Sequence, residues 1–152
     1  MNSTIILGAL GALLTGIAIS IQSTISSRAG ALIGDVRTGL LTNFLGGLIA
    51  GILVLVLLFR EGVQQWKVSG GIYSFIALSG LLGIFIITGI SFSLQRTGVA
   101  AGLATIILGQ LILSVVIDRL GIGAAGVIPI SPERILGLIV IAGGVYLLLP
   151  RT

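Results

Sequence analysis

Long apolar runs separated by short polar breaks are the dominant pattern of this 152-residue chain. A helix needs about 20 mostly apolar residues to cross the hydrocarbon core of a bilayer. Five apolar segments of about this length remain when the runs are cut at charged residues, and each predicts one transmembrane helix. Their bounds are about 5–27, 38–59, 71–94, 99–117 and 133–149.

Charged residues follow the same division of the chain. All of them lie near the ends of the apolar segments or between the segments, as expected when a charge at the centre of a membrane helix costs about 2.5–3.5 kcal/mol. Ser131, Pro132 and Glu133 together are typical of a helix start. Residues 121–130 are rich in glycine, and we predict a loop at the membrane surface there. The sequence thus predicts an all-α membrane protein with a single domain, residues 1–152.

The composition excludes several classes of protein. Only 8% of the residues are charged, compared with about 25% in soluble domains. The chain has no His and no Cys, which excludes imidazole and thiolate metal sites and the common nucleophilic triads. We therefore expect no enzyme activity, no metal and no cofactor. The basic residues are scattered singly, which argues against a nucleic-acid partner.

Neutral polar side chains inside the apolar segments are the candidate groups for contacting a solute. A primary amide in hydrocarbon needs a hydrogen-bond partner, so each either bonds a neighbouring helix or faces a wet cavity. Both interpretations stay open from the sequence. The candidates are Gln22, Ser26, Asn43, Ser91, Gln95, Gln110 and Ser114.

Asp118 is the only acidic residue on the polar face that Gln110 and Ser114 share in the fourth segment. A carboxylate at a helix C-terminus opposes the helix dipole, so we expect a cation from another helix or a second copy beside it. Asp118 is the candidate coupling residue, and an ordinary charge at the membrane boundary is the alternative. Because no carboxylate lies deeper, we expect a neutral or anionic substrate rather than a hydrophobic cation.

Small residues predict close helix packing. Gly47 and Gly51 form one pair at a spacing of four, and Gly98 and Gly102 form another. Such pairs allow two helix backbones to approach each other closely in a membrane.

The positively charged residues are divided equally between the two sides that five spans define. Excess Lys and Arg in cytoplasmic loops normally set the orientation of a membrane protein. Here the counts are equal, which leaves two interpretations. In the first, one or two of the charges dominate the orientation. In the second, copies insert both ways and pair antiparallel. Arg60, Lys67, Arg119 and Arg134 fall on one side, and Arg28, Arg37, Arg96 and Arg151 on the other.

Several short motifs resemble one family of small membrane proteins. They are Leu108-Gly109-Gln110 with Ser114, Asp118-Arg119-Leu120-Gly121, Pro132 with Arg134-Ile135-Leu136-Gly137, and Gly143-Gly144-Val145. Across essentially the whole chain the sequence is similar to the YdcZ family, five-helix members of the drug/metabolite transporter (DMT) superfamily. Gln22 and Asn43 match polar positions in that family's first two spans. The resemblance implies ten helices per working unit, from two five-helix chains or a fusion, and solute export or uptake.

These observations together predict a transporter of a small solute in the bacterial inner membrane. We expect it to work as an antiparallel homodimer of ten helices with an inverted-repeat plan and a midplane cavity. The expected partners are a second copy, the lipid bilayer and a substrate that the sequence does not name. The alternatives are a dual-topology channel for a small ion and a structural or regulatory membrane subunit without transport.

Overall fold

The computed structural model describes residues 3–67, 69–122 and 126–150, and its regular secondary structure over these ranges is entirely helical. It contains five α-helices, as the apolar pattern predicts, and one 3₁₀ turn between the second and third helices. The α-helices are α1 (Ser3–Ile33), α2 (Asp35–Glu61), α3 (Gly70–Thr97), α4 (Val99–Leu120) and α5 (Pro132–Leu148), and the 3₁₀ turn is Val63–Trp66.

Two of the predicted breaks are much shorter than the sequence pattern indicates. α1 continues through Arg28, so only Gly34 separates it from α2, and only Gly98 separates α3 from α4. Gly34 has φ 90 and ψ 149, and Gly98 has φ 78 and ψ 165, a conformation that is essentially restricted to glycine. The two helices therefore extend past the span limits predicted at residues 27 and 38, and those limits stay a prediction for the part in hydrocarbon. Charges limit the part of a helix that lies in hydrocarbon, but an arginine can extend to the headgroups while the helix continues.

Helix length distinguishes α5 from the other four helices. Among the described residues, α1 to α4 provide the four helices that are long and apolar enough to cross a membrane. α5 has 17 residues, which span about 25 Å, whereas the hydrocarbon core is about 30 Å thick. A membrane crossing by α5 stays a prediction.

The start of α5 agrees with its sequence signal. The Ser131 side chain accepts a hydrogen bond from the Arg134 backbone N–H at 3.4 Å, and Pro132 occupies the first turn. Residues 121–122 and 126–130 form the described part of the predicted loop and contain no helix. The rest of that loop, residues 123–125, lies outside the described residues. Arg151, which enters the charge comparison, also lies outside them.

The chain divides into two compact units at Phe92 and Ser93. The first unit holds α1, α2 and most of α3. The second holds the end of α3, α4 and α5. The three most buried side chains of the first unit are hydroxyls, because Ser23, Thr38 and Ser91 are each at most 1% exposed. Leucine, isoleucine and phenylalanine side chains are mostly exposed in both units, which suits a protein whose surroundings are lipid tails.

Candidate functional site

α2 and α3 approach each other closely at two glycines. A Cβ atom on Gly83 would lie 2.7 Å from Asn43 Oδ1, and one on Gly39 would lie 2.9 Å from the carbonyl oxygen of Ile84 and meet Thr88 Oγ1 as well. At Gly39 only glycine leaves room, because the Ile84 carbonyl belongs to the backbone, whereas a Cβ on Gly83 would require the Asn43 amide to shift. Asn43 Nδ2 donates to the Gly39 carbonyl at 2.9 Å, and this bond within α2 orients the amide so that its oxygen faces Gly83.

A groove of about 890 Å³ lies beside this crossing in the first unit, and we call it the first groove. Its polar side chains are Gln22 from α1 and Thr42 and Asn43 from α2. The rest of its wall consists of apolar side chains and the small residues Gly46, Gly47, Ala50 and Gly80. The structure thus brings together two predicted site residues, Gln22 and Asn43, and no charged residue lines the described groove.

Gln22 and Thr42 also line a second, smaller groove of about 370 Å³ between α1 and α2. Ser26 joins them there, between the small side chains of Ala18 and Ala29. Ser26 itself is only 3% exposed. The predicted polar face at the end of the first span therefore reaches two adjacent grooves, and Gln22 belongs to both.

Asp35 is a candidate functional residue that the apolar pattern does not single out, because that pattern predicts a loop here. Asp35 instead begins α2, and Ser91 Oγ of α3 donates to Asp35 Oδ1 at 2.6 Å. This is the short distance expected for a hydroxyl bonded to a carboxylate, and Ser91 is fully buried. The signal was present in the sequence, because Asp35, Gly39 and Asn43 recur every four residues and so share one face of α2.

The second unit contains an ion pair between α4 and α5. Arg134 Nη1 lies 2.9 Å from Asp118 Oδ2, and the two side chains are 34% and 33% exposed. This confirms the expectation that a cation from another helix stands beside Asp118. The pair lies at one end of a groove of about 280 Å³ that Ser114 and Gly137 also line. We call it the ion-pair groove.

The remaining candidate residues lie outside these three grooves. Gln95 and Gln110 are exposed. The Gln110 amide makes no hydrogen bond to any part of the chain that the structure describes. A bilayer offers an amide no partner, so Gln110 needs one from outside these residues.

The four glycines predicted to pack helices differ in their surroundings. A Cβ on Gly102 would lie 2.8 Å from Leu94 Cδ1 and from Thr97 Oγ1, so Gly102 does allow a close contact. Gly98 forms the joint before α4. A Cβ on Gly47 or Gly51 would meet nothing within 4 Å, so a packing role for this pair requires a partner outside the described chain and stays a prediction.

Comparison with known proteins gives one family. The sequence model of the family described as "Putative inner membrane exporter, YdcZ" matches residues 7–147, which include parts of all five helices and the three grooves. No curated protein and no solved structure matches the chain. The family match confirms the resemblance drawn from the short motifs. With the four membrane-length helices, it identifies a multi-pass protein of the bacterial inner membrane.

Proposed function

The chain belongs to the DMT_YdcZ family of inner membrane proteins, and from this premise we propose that it transports a small neutral solute through the first groove. The observation that carries the proposal is the convergence of Gln22, Thr42 and Asn43 on one largely apolar groove of about 890 Å³. A few convergent polar groups in an apolar concavity are the usual form of a small-molecule site. The family description favours export as the direction of transport.

The lining of the first groove supports the substrate class. Amide and hydroxyl groups can bond the polar part of a solute, and the glycine and alanine positions leave space for its apolar part. An ion that leaves water for such a wall would lack a counter-charge, which is costly in a medium of low dielectric constant. A neutral solute therefore suits this groove better than an anion, the other class that the sequence leaves open.

We further propose that the working unit is an antiparallel homodimer. Gln110 supports this, because its exposed amide on an apolar helix needs a partner outside the described residues. The open glycine pair Gly47 and Gly51 offers a surface for close contact with another helix. The equal numbers of Lys and Arg on the two sides of the predicted spans would allow insertion in both directions.

The substrate is best sought by a screen of the purified protein. Neutral solutes such as sugars, nucleosides and amides, with carboxylates as the anionic comparison, would be tested for an increase in melting temperature. Uptake of each stabilising compound into proteoliposomes would then be measured. We expect Gln22→Leu to abolish that uptake while the melting temperature without ligand stays unchanged, since Gln22 is exposed.

Gln64→Leu is the matched control, because Gln64 is also exposed but lies in the 3₁₀ turn outside the grooves. Full uptake by Gln22→Leu would refute the role of the first groove. Ion currents across a planar bilayer, at rates far above those of a carrier, would instead indicate a channel. A larger partner in pull-downs without any flux would indicate a structural subunit.

Topology can be tested by adding charges at the chain ends. Two Lys after Thr152 change the balance to 4 against 6 and should keep the C-terminus in the cytoplasm, whereas two Lys after Met1 should place it outside. Each biased form should be inactive alone, and co-expression should restore transport. A C-terminal reporter that shows one side only for the wild type, together with activity of each biased form alone, would contradict the antiparallel dimer.

Asp118 stays the candidate for coupling transport to protons. Its carboxylate accepts a hydrogen bond from Arg134, so protonation would break the ion pair and alter the contact between α4 and α5. We expect Asp118→Asn to fold and to change the pH dependence of transport. Identical pH profiles of the variant and the wild type would leave Asp118 with a structural role only.

A further inference from the structure

The ion pair between α4 and α5 uses little of its hydrogen-bonding capacity. A guanidinium has five N–H donors and a carboxylate has two acceptor oxygens, but these two side chains share the single bond from Arg134 Nη1 to Asp118 Oδ2. Neither side chain has a further partner among the residues that the structure describes. Both are about one-third exposed, so a ligand can reach the unused donors and the unused oxygen.

The ion-pair groove runs from these charges along the two helices. Asp118 lies in the last turn of α4 and Arg134 in the first turn of α5, so the charges mark one end of the helix pair. The wall beyond them is mostly apolar, with Leu111, Leu138 and Ile141, and Ser114 is its one hydroxyl-bearing residue. Gly137 leaves an open floor, because a Cβ there would meet nothing within 4 Å.

We propose that the ion-pair groove binds a phospholipid whose headgroup carries both a phosphate and a primary ammonium, as in phosphatidylethanolamine. The phosphate accepts hydrogen bonds from the unused guanidinium N–H groups of Arg134, a geometry in which arginine is particularly effective. The ammonium donates to the free oxygen of Asp118. One acyl chain lies in the groove over Gly137.

Charge complementarity favours this headgroup over those of phosphatidylcholine and phosphatidylglycerol. Phosphatidylcholine has a quaternary ammonium with no N–H, so it cannot donate to Asp118. Phosphatidylglycerol has the phosphate but no cation, and its negative charge would face the Asp118 carboxylate. The ion pair lies at the end of the membrane-length helix α4 and at the start of α5, which matches the level of the headgroups, where charged side chains contact lipid phosphates.

The test is native mass spectrometry of the purified protein with equimolar phosphatidylethanolamine, phosphatidylcholine and phosphatidylglycerol of identical acyl chains. We expect preferential retention of phosphatidylethanolamine. Gly137→Leu fills the groove while both charges of the ion pair stay in place, and it should reduce this retention by about tenfold. Gly143→Leu is the matched control, because Gly143 is equally open on the same helix but does not line the groove.

Substitutions at the charges separate the two contacts of the headgroup. Arg134→Gln should reduce retention of phosphatidylethanolamine by about tenfold, as expected when hydrogen bonds between charged groups are lost. Asp118→Asn should remove the preference over phosphatidylglycerol. Arg119→Gln, at an exposed position outside the groove, should change neither. If Arg134→Gln fails to fold, the comparison of Gly137→Leu with its control Gly143→Leu still decides the result.

Three outcomes would overturn the proposal. The first is equal retention of the three lipids, and the second is retention unchanged by Gly137→Leu. The third is competition by soluble glycerophosphoethanolamine as strong as that of the intact lipid, which would assign the charges to a water-soluble ligand. The experiment contains no transported solute, so its failure is distinguishable from a failure of the proposed transport through the first groove.

Discussion

The first groove and the ion-pair groove are built from different chemistry. The first groove combines three neutral polar side chains with an apolar wall, beside a helix crossing that depends on Gly39. The ion-pair groove has a full charge of each sign at the ends of its two helices. The difference follows from position along the helix. Neutral amides can be accommodated within the apolar length of a span, whereas charges are favourable only near its ends.

This contrast separates two tasks that a small membrane transporter has to perform. A site that releases its solute on each cycle is better served by neutral groups, which hold the solute without a large desolvation cost. A site that anchors a helix pair in its lipid surroundings can use charges that stay in place. We therefore expect filling the first groove to stop transport and filling the ion-pair groove to reduce lipid binding, while the one effect on transport expected from the ion-pair groove is the changed pH dependence of Asp118→Asn.

Filling each groove with a bulky side chain should give the largest difference between them. Gly80 lines the first groove and has open space where a Cβ would stand, so Gly80→Leu should occupy the groove without disturbing the fold. We expect transport below about one-tenth of the wild-type rate, equivalent to at least 1.4 kcal/mol. Gly137→Leu should leave transport within a factor of about two. Proteoliposome uptake checks both, and equal loss in the two variants would remove the functional distinction between the grooves.

The helix crossing beside the first groove should respond strongly to a single methyl group. Gly39→Ala places a Cβ against Thr88 Oγ1 and the Ile84 carbonyl, and such overpacking costs about 1–3 kcal/mol. Gly89→Ala is the control, because a Cβ there meets nothing within 4 Å. Thermal unfolding in detergent compares the two variants. Equal melting temperatures would show that α2 and α3 are not held at this distance.

The start of α5 should show a smaller effect. Ser131→Ala removes the side-chain oxygen that accepts from the Arg134 N–H, and loss of such a cap costs about 1 kcal/mol. Ser131→Asp retains an acceptor and should recover most of the stability. A melting temperature equally low in both variants would indicate that the cap itself contributes little.

The Asp118–Arg134 pair should contribute least to stability, despite its full charges. Ion pairs that are partly exposed contribute about 0–1 kcal/mol, and this pair is about one-third exposed. A double-mutant cycle with Asp118→Asn and Arg134→Gln measures the coupling directly. A coupling energy well above this range would mean that the pair is shielded from water and acts mainly as a structural link between α4 and α5.

The sequence predicts the number of helices because hydrophobic length is a local property of the chain. The sequence predicts the ends of the helices less accurately than their number. Arg28 and Arg37 mark the limits of the apolar segments. The backbone nevertheless stays helical after Arg28 and is already helical before Arg37, and only Gly34 interrupts it. The start of α5 at Pro132 is predicted within one residue, because Ser131, Pro132 and Glu133 provide a cap signal that does not depend on tertiary contacts.

The candidate site is predicted only in part, since its geometry depends on which helices meet. Regular spacing correctly places Ser114 and Asp118 on one side of α4, where both line the ion-pair groove. Spacing alone cannot identify Arg134 as the partner of Asp118, because the two residues lie on different helices. Nor does it show that Gly39, rather than Gly47, contacts another helix of the same unit.

The single-residue joint at Gly34 has a consequence for how the protein is made. With no loop between them, α1 and α2 cannot enter the membrane one after the other with chain left outside, so we expect them to insert together as a helical hairpin. The tip of that hairpin carries Arg28, Asp35 and Arg37 within ten residues. Whether the tip crosses the bilayer or stays behind is then decided in a single event, early in synthesis, before the downstream helices have left the ribosome.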